Sequence, residues 1–241
     1  DQTIENNLTI YGGTFSANGY TVPIGGNIDV QSGNIATSGT IYLNNSLGSS
    51  TLRLNNSVLN NLTIDGKGTI FTALDDFTVN GNFNLLAGTF NSNGQTINLG
   101  NGPDVVFIKG VYQVGAGGVM ALGNGTSVSI DSSGEIQIIG TPDSIARVTR
   151  NSSGGRYDFQ VDGKIQAIYA LFEYMNTPGI IVNPGGWIDT VNNFSYCTFS
   201  NGAVNGCYLR IENTQELTLE EVSFPDNPGG GASNVAKITT N

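Results

Sequence analysis

The 241-residue chain contains no histidine. That excludes Ser-His-Asp and Cys-His catalysis and every histidine-ligated metal site. Its two cysteines, Cys197 and Cys207, are too few for a cysteine-ligated metal site. Basic residues are scarce, nine against 19 carboxylates, for a net charge of −10. Nucleic-acid binders carry basic patches, so nucleic acid is not expected as a partner, and anionic membrane surfaces are disfavoured for the same reason. Charged residues of both signs make up 12%, about half the usual share. No apolar run reaches the roughly 18 residues of a membrane-spanning helix, so no membrane insertion is expected. No heptad or helix-period stretch stands out, so little or no helix is expected. Calcium-binding repeats of the form Gly-Gly-x-Gly-x-Asp are missing. Steps such as Gly66-Lys67-Gly68 lack the strand–helix context of a phosphate loop. No cofactor is expected.

What the chain has in excess is glycine, 34 residues, about twice the average usage. The glycines sit at turns, in a recurring order: a β-type run, a turn, then Gly-x-apolar. Examples are Gly13-Thr14-Phe15, Gly33-Asn34-Ile35, Gly68-Thr69-Ile70, Gly88-Thr89-Phe90, Gly110-Val111-Tyr112, Gly134-Glu135-Ile136, Gly163-Lys164-Ile165 and Gly186-Trp187-Ile188. The preceding runs, such as Leu8-Thr9-Ile10, Leu62-Thr63-Ile64 and Val128-Ser129-Ile130, alternate as half-buried strands do. The longest early gap holds a further coil near Gly48 and Leu52–Leu54. Strand-like repeats of this length predict a solenoid, in which no coil buries its apolar face alone.

Some repeats align in register. Gly13-Thr-Phe-x-x-Asn-Gly-x-Thr returns several coils later, starting at Gly88. Near the C-terminus one constant spacing places Tyr174, Phe199 and Phe224 in a single inward aromatic column. The same spacing places Phe172, Cys197 and Val222 in a second column, and Asn176, Asn201 and Asp226 in a polar ladder at a corner. The apolar columns alternate with polar residues, as inward strand positions should.

Segments such as Phe194-Ser-Tyr-Cys-Thr-Phe-Ser-Asn-Gly202 and Gly88-Thr-Phe-Asn-Ser-Asn-Gly-Gln-Thr-Ile97 resemble the coils of right-handed parallel β-helix proteins. They are most similar to the repeat regions of bacterial secreted and cell-surface proteins of the adhesin type. The resemblance spans nearly the whole chain. It implies an all-β right-handed parallel β-helix of about nine to ten coils, a rod roughly 45 Å long at the usual strand spacing. An antiparallel sandwich is the competing architecture, but it has no reason to repeat side chains in register. One domain is expected over residues 1–241, with shorter Asn/Gly/Thr-rich coils over 1–126 and longer coils with aromatic stacks over 127–241.

The family that the coils resemble includes adhesins, fibre shafts and polysaccharide-degrading enzymes. Without histidine the available chemistry is carboxylate chemistry, for which glycosidases use paired Asp or Glu. Asp75-Asp76, Glu220-Glu221, and Asp131 with Glu135 are the candidate pairs. Asp75-Asp76 is similar to the doublet of polygalacturonase-type enzymes, but their companion histidine and Arg-x-Lys are missing. Cys197 and Cys207 either close a disulfide in an oxidising compartment or pack as two thiols. Arg147, Arg150 and Arg156 fall in the longest interval, which reads as an inserted loop on one face, open to a ligand or solvated and paired with nearby acids. Trp187 takes a step position held elsewhere by Thr, Asn, Lys or Glu, so it points outward. It is a candidate for stacking on sugar rings, as are Tyr42, Tyr112 and Tyr208, or else a rim residue.

These readings converge on a non-enzymatic extracellular or cell-surface protein, a rigid shaft or a self-assembling fibre subunit that stacks through open ends. The start at Asp1 without Met reads either as a mature secreted chain whose signal peptide has been removed, the preferred reading, or as an excised stretch of sequence. Its partners would be other copies of itself, the rest of a longer chain, or glycans. The alternative is a carbohydrate-binding or carbohydrate-cleaving module on the same scaffold.

Overall fold

The computed structural model describes residues 3–46, 48–152, 154–226 and 235–237, and among these it contains strands and turns but no helix. The strands pair in parallel, coil on coil, and stack as a β-solenoid of about 10 turns. Each complete coil lays one strand on each of three faces in turn. The first face runs from Leu8–Ile10 through Ser49–Arg53 and Val111–Val114 to Trp187–Asn193. The second runs from Thr14–Asn18 through Thr96–Leu99 to Thr198–Ser200. The third runs from Thr21–Ile24 through Val105–Ile108 to Leu209–Ile211 and Val235–Lys237. Two long strands, Asn61–Ala73 and Phe83–Asn91, bend without a break from the third face onto the first. The first and third faces therefore form one 17-stranded sheet, and the second face forms a separate nine-stranded sheet.

Period-2 alternation sets which residues turn inward. On the third face Val22, Ile41, Leu62, Phe83, Val106, Val128, Phe159, Ile180 and Leu209 follow one another from coil to coil. All are buried. The first face supplies Phe71, Phe90, Tyr112, Ile136, Ile165 and Ile188 in the same way. Where faces meet inside, Phe77, Phe83, Phe90 and Tyr112 pack edge-on or tilted, with ring centroids 5.1–6.1 Å apart. Each buried aromatic ring contributes about 1.5–3 kcal/mol through surface removed from water. The Tyr112 hydroxyl sits in this cluster without a hydrogen-bond partner.

The corners explain the glycines and asparagines. Coils approach closely where the third face turns onto the first, and a Cβ on Gly163 would meet the carbonyl oxygens of Asp131 and Gly134. A Cβ on Gly110 would meet the carbonyl of Gly88 in the same way. Asparagine side chains supply acceptors across corners. Asn7 Oδ1 accepts from the Asn27 amide, and Asn27 Oδ1 accepts from the Thr51 amide, each at 2.8 Å. Asn61 and Asn82 do the same for the amides of Asn82 and Val105.

Several of the expected alignments differ from the observed register, the second apolar column among them, since the strand partner of Phe172 is Phe199 and not Cys197. Phe172 pairs with Phe199, and the rings stack at 5.1 Å. Phe199 then stacks on Phe224 at 5.5 Å. Tyr174 is not in that column. It occupies the next corner, at φ 64°, only partly buried. The expected spacing does hold from Thr198 to Ser223. It fails one coil earlier because of an irregularity: Ile165 lies opposite Ile188, but Ala167 lies opposite Asn193. The residues between Ile188 and Asn193 bulge outward, lengthen the coil, and make Phe172 rather than Tyr174 the partner of Phe199. The match between the segments starting at Gly13 and Gly88 is not a stacking column either, since Phe15 lies on the second face and Phe90 on the first. Coil length varies widely. Val22 lies opposite Ile41, whereas Val128 lies opposite Phe159, a coil more than half as long again.

Replacing Gly163 by Ala should lower the thermal midpoint, with a loss of about 2–3 kcal/mol because backbone must shift. Gly115→Ala, where nothing lies within 4 Å of the new Cβ, should be neutral or stabilise by up to about 1 kcal/mol. Tyr112→Phe should raise stability by about 1 kcal/mol, because it removes a buried hydroxyl that has no partner. Circular-dichroism melts of the three variants check these signs.

Candidate functional site

The outward side of the first face carries an extended network of polar side chains. One outward row reads Val111, Glu135, Lys164, Trp187 over successive coils. The neighbouring row reads Gln113, Gln137, Gln166 and is continued by Asn192. Gln113 Nε2 donates to Gln137 Oε1 at 2.9 Å, and Gln137 Nε2 donates to Glu135 Oε1 at 2.8 Å. Gln166 Nε2 also donates to Glu135 Oε1, and Asn192 Nδ2 donates to Gln166 Oε1 at 2.8 Å. Lys164 Nζ lies 3.0 Å from Asp189 Oδ2 and 3.7 Å from Glu135 Oε1.

Asp189 shapes the bulge. Its Oδ1 accepts from the amides of Val191 (3.0 Å) and Asn192 (2.9 Å). Bulges of this kind re-aim side chains and recur beside functional sites. Burial pushes the Asp189 carboxyl up, but those two amides and the Lys164 ammonium outweigh it and hold the group below the usual carboxylate value of 3.8. The hydrogen bond to Asp189 and the nearby Glu135 charge raise Lys164 above its usual value, against the effect of burial. Both groups stay charged at neutral pH.

Among the described residues, Trp187 stands at the last strand of this face, with 51% of its surface exposed. Above it the ladder is closed by a side chain rather than a strand. The Ile188 amide donates to Gln215 Oε1 at 3.0 Å, and Gln215 Nε2 donates to the Ile188 carbonyl. Asn213 Nδ2 donates to the Gly186 carbonyl at 2.7 Å. The carboxamide is chemically a peptide group, so it completes the hydrogen bonds, and among the described residues no further strand of this face follows.

The other sequence candidates do not converge. The interval holding the arginines contains a strand, Ala146–Arg150, in the second face, rather than one inserted loop. Arg147 Nε lies 3.9 Å from Glu173 Oε2. The Arg150 guanidinium lies 3.9 Å from the centre of the Tyr174 ring. Arg156 Nη1 donates to the carbonyls of Met175 (3.0 Å) and Asn201 (2.7 Å) and so ties corners together. Tyr112 and Tyr208 are buried, which removes them as sugar platforms, and the Tyr42 hydroxyl donates to Asp65 at 2.7 Å.

Cys197 and Cys207 are not joined, which corrects the disulfide alternative. Cys197 faces the core, where burial pushes its thiol up to about 12. Cys207 is half-buried, and its Sγ lies 3.0 Å from the Leu209 carbonyl. Val222 packs against the core beside Phe224. Of the expected polar ladder, the Asn201 amide donates to Asp226 Oδ2 at 3.4 Å, whereas Asn176 Nδ2 donates to Asp158 Oδ1 at 3.0 Å. Asn176 therefore belongs to the next strand, and Tyr174 holds the corner below Asn201.

The candidate carboxylate pairs serve the backbone or neighbouring side chains. Asp75 accepts from the amides of Leu54 and Asn55, and Asp76 accepts from the Thr96 amide. Asp131 accepts from the Ser133 amide and hydroxyl, and that hydroxyl contributes most to holding its carboxyl low. Glu220 accepts from the Tyr196 hydroxyl at 3.1 Å. Among the described residues no group of three or more His, Cys, Asp or Glu is placed to hold a metal ion. The glutamine row and Asp189 are absent from the sequence candidates. Their trace was Glu135-x-Gln137 and Lys164-x-Gln166 following consecutive Gly steps.

No known family model matches the chain, and no curated protein or solved structure matches it.

Because Asp189 is held low in the folded state, its stabilising contribution is present above the unfolded value of 3.8 and is lost as pH falls through the folded value. Asp189→Asn should therefore lower the thermal midpoint at pH 7. The difference from the parent should shrink as pH drops below 3.8. Melts across an acid pH series check the sign.

Proposed function

We propose that the protein is a non-enzymatic structural or adhesive element of the cell exterior, acting as a rigid surface shaft or a self-assembling fibre subunit. The observation that carries this reading is the parallel coil-on-coil pairing on three faces around one apolar core. Such a rod is stiff because bending it must break ladder hydrogen bonds and unstack inward rows together. Stacked about 4.8 Å apart, about ten turns make a rod roughly 45–50 Å long. A surface rich in Asn, Thr, Ser and Gly suits an extracellular setting. Asp75, Asp76 and Asp131 accept from backbone amides, which favours a structural role for them.

Association through the coil ends fits the same reading. Thr14–Asn18 is an edge strand of the nine-stranded sheet. Phe15 on it is only partly covered, and Tyr11 and Tyr20 beside it are 76% and 69% exposed. A hollow of about 260 Å³ lined by Phe15, Tyr20 and Val22 lies at the same end. A parallel strand from a second copy, or from the rest of a longer chain, completes such an edge. Addition that does not close generates an open filament.

Negative-stain electron microscopy at moderate concentration tests the fibre form. Filaments with an axial repeat near the rod length are expected. Dispersed short rods at every concentration would remove the fibre form and leave a shaft within a larger assembly. Reducing sugar released from polysaccharide by the purified protein would overturn the non-enzymatic reading altogether.

A further inference from the structure

We propose that the outward side of the first face around Trp187 binds an uncharged glycan chain lying along the rod axis. This goes beyond the shaft reading and stands whether or not filaments form. Trp187 is the only tryptophan of the chain. It is half-exposed at the end of the outward row, with Lys164 opposite it on the preceding coil. A pyranose ring presents an apolar face of C–H groups and a rim of hydroxyls. The indole offers a flat apolar platform for the first. Side-chain amides beside it serve the second, since each carries two donors and a two-lone-pair acceptor.

The amides are already ordered. Gln113, Gln137, Gln166 and Asn192 are fixed by one another and by Glu135. Asp189 is held by two backbone amides and by Lys164. Ordering such side chains on binding normally costs affinity, and here that cost is met by folding. Each side chain in the row uses only part of its hydrogen-bonding capacity within the row. A chain of sugars laid across the coils therefore meets an amide at the Gln113, Gln137 and Gln166 rungs, about 4.8 Å apart, with the indole in the adjoining row one coil beyond. Val191, on the bulge of the same strand, is also exposed, at 75%.

Charge selects the class of glycan. Lys164, the cation of this row, is paired with both Glu135 and Asp189, so it is already neutralised and offers little to a uronate or sulfate. The chain carries −10 overall, which repels acidic polysaccharides. Neutral sugars remain.

The lone indole reports its own site. Its fluorescence should shift to the blue and saturate on titration with one or more of laminarin, hydroxyethyl cellulose, mannan and dextran, and should not move with polygalacturonate. Trp187→Ala should abolish retardation in native gels cast with the responding glycan, with the thermal midpoint unchanged. Trp187→Phe should restore part of the retardation. Gln137→Ala should weaken binding about tenfold, as loss of a central contact does. Emission unmoved by every neutral glycan would overturn the proposal. So would a response to polygalacturonate alone, or retardation that survives in Trp187→Ala.

Discussion

The parallel ladder between coils is the constraint from which the rest of the structure follows. It holds each coil about 4.8 Å from the next and turns equivalent residues in the same direction. Inward positions must then stack like on like, which yields the rows from Val22 to Leu209 and from Phe71 to Ile188. At corners the ladder brings backbone against backbone, so a Cβ is excluded at Gly110 and Gly163. Where the backbone turns out of pairing, asparagine carbonyl oxygens at Asn7, Asn27, Asn61 and Asn82 supply the missing acceptors.

The same constraint accounts for the low charge. A charged residue on an outward row has the next rung as its nearest neighbour, and like charges there repel. Neutral amides and hydroxyls can repeat without that penalty. Where charges do occur on the first face they alternate: Glu135 is followed by Lys164, which also reaches Asp189. The scarcity of Lys, Arg, Asp and Glu is thus a property of stacking, and a surface of Asn, Gln, Thr and Ser is its complement.

This logic also shows which features were legible in the sequence. The solenoid, the Gly steps and the outward direction of Trp187 depend on local patterns that repeat in every coil, so they could be read directly. Register depends on how many residues each corner and bulge absorbs, and no local pattern records that. The bulge between Ile188 and Asn193 moved Tyr174 out of the aromatic column and set Phe172 on Phe199. The arginine-bearing interval looked like a loop because its length was unusual, yet Ala146–Arg150 pairs on both sides as an ordinary strand. Whether Cys197 and Cys207 join depends on which way each side chain turns, and their separation along the chain does not encode that.

A solenoid separates the requirements of folding from those of recognition. Inward rows and corners are committed by the ladder, whereas outward positions are free to vary so long as charges do not repeat. The first face uses that freedom at one place. The Asp189 bulge interrupts the pairing, and Gln215 closes the ladder above Ile188 with a side-chain amide instead of a further strand. Both departures from regular stacking occur beside Trp187. The regular part of the face, the glutamine row, leads up to them. Local irregularity on an otherwise repetitive scaffold needs its own stabilising contacts, supplied here by Asp189, Lys164, Asn213 and Gln215. Those contacts keep the departures as ordered as the coils they interrupt, so the exposed indole stands on a fixed base.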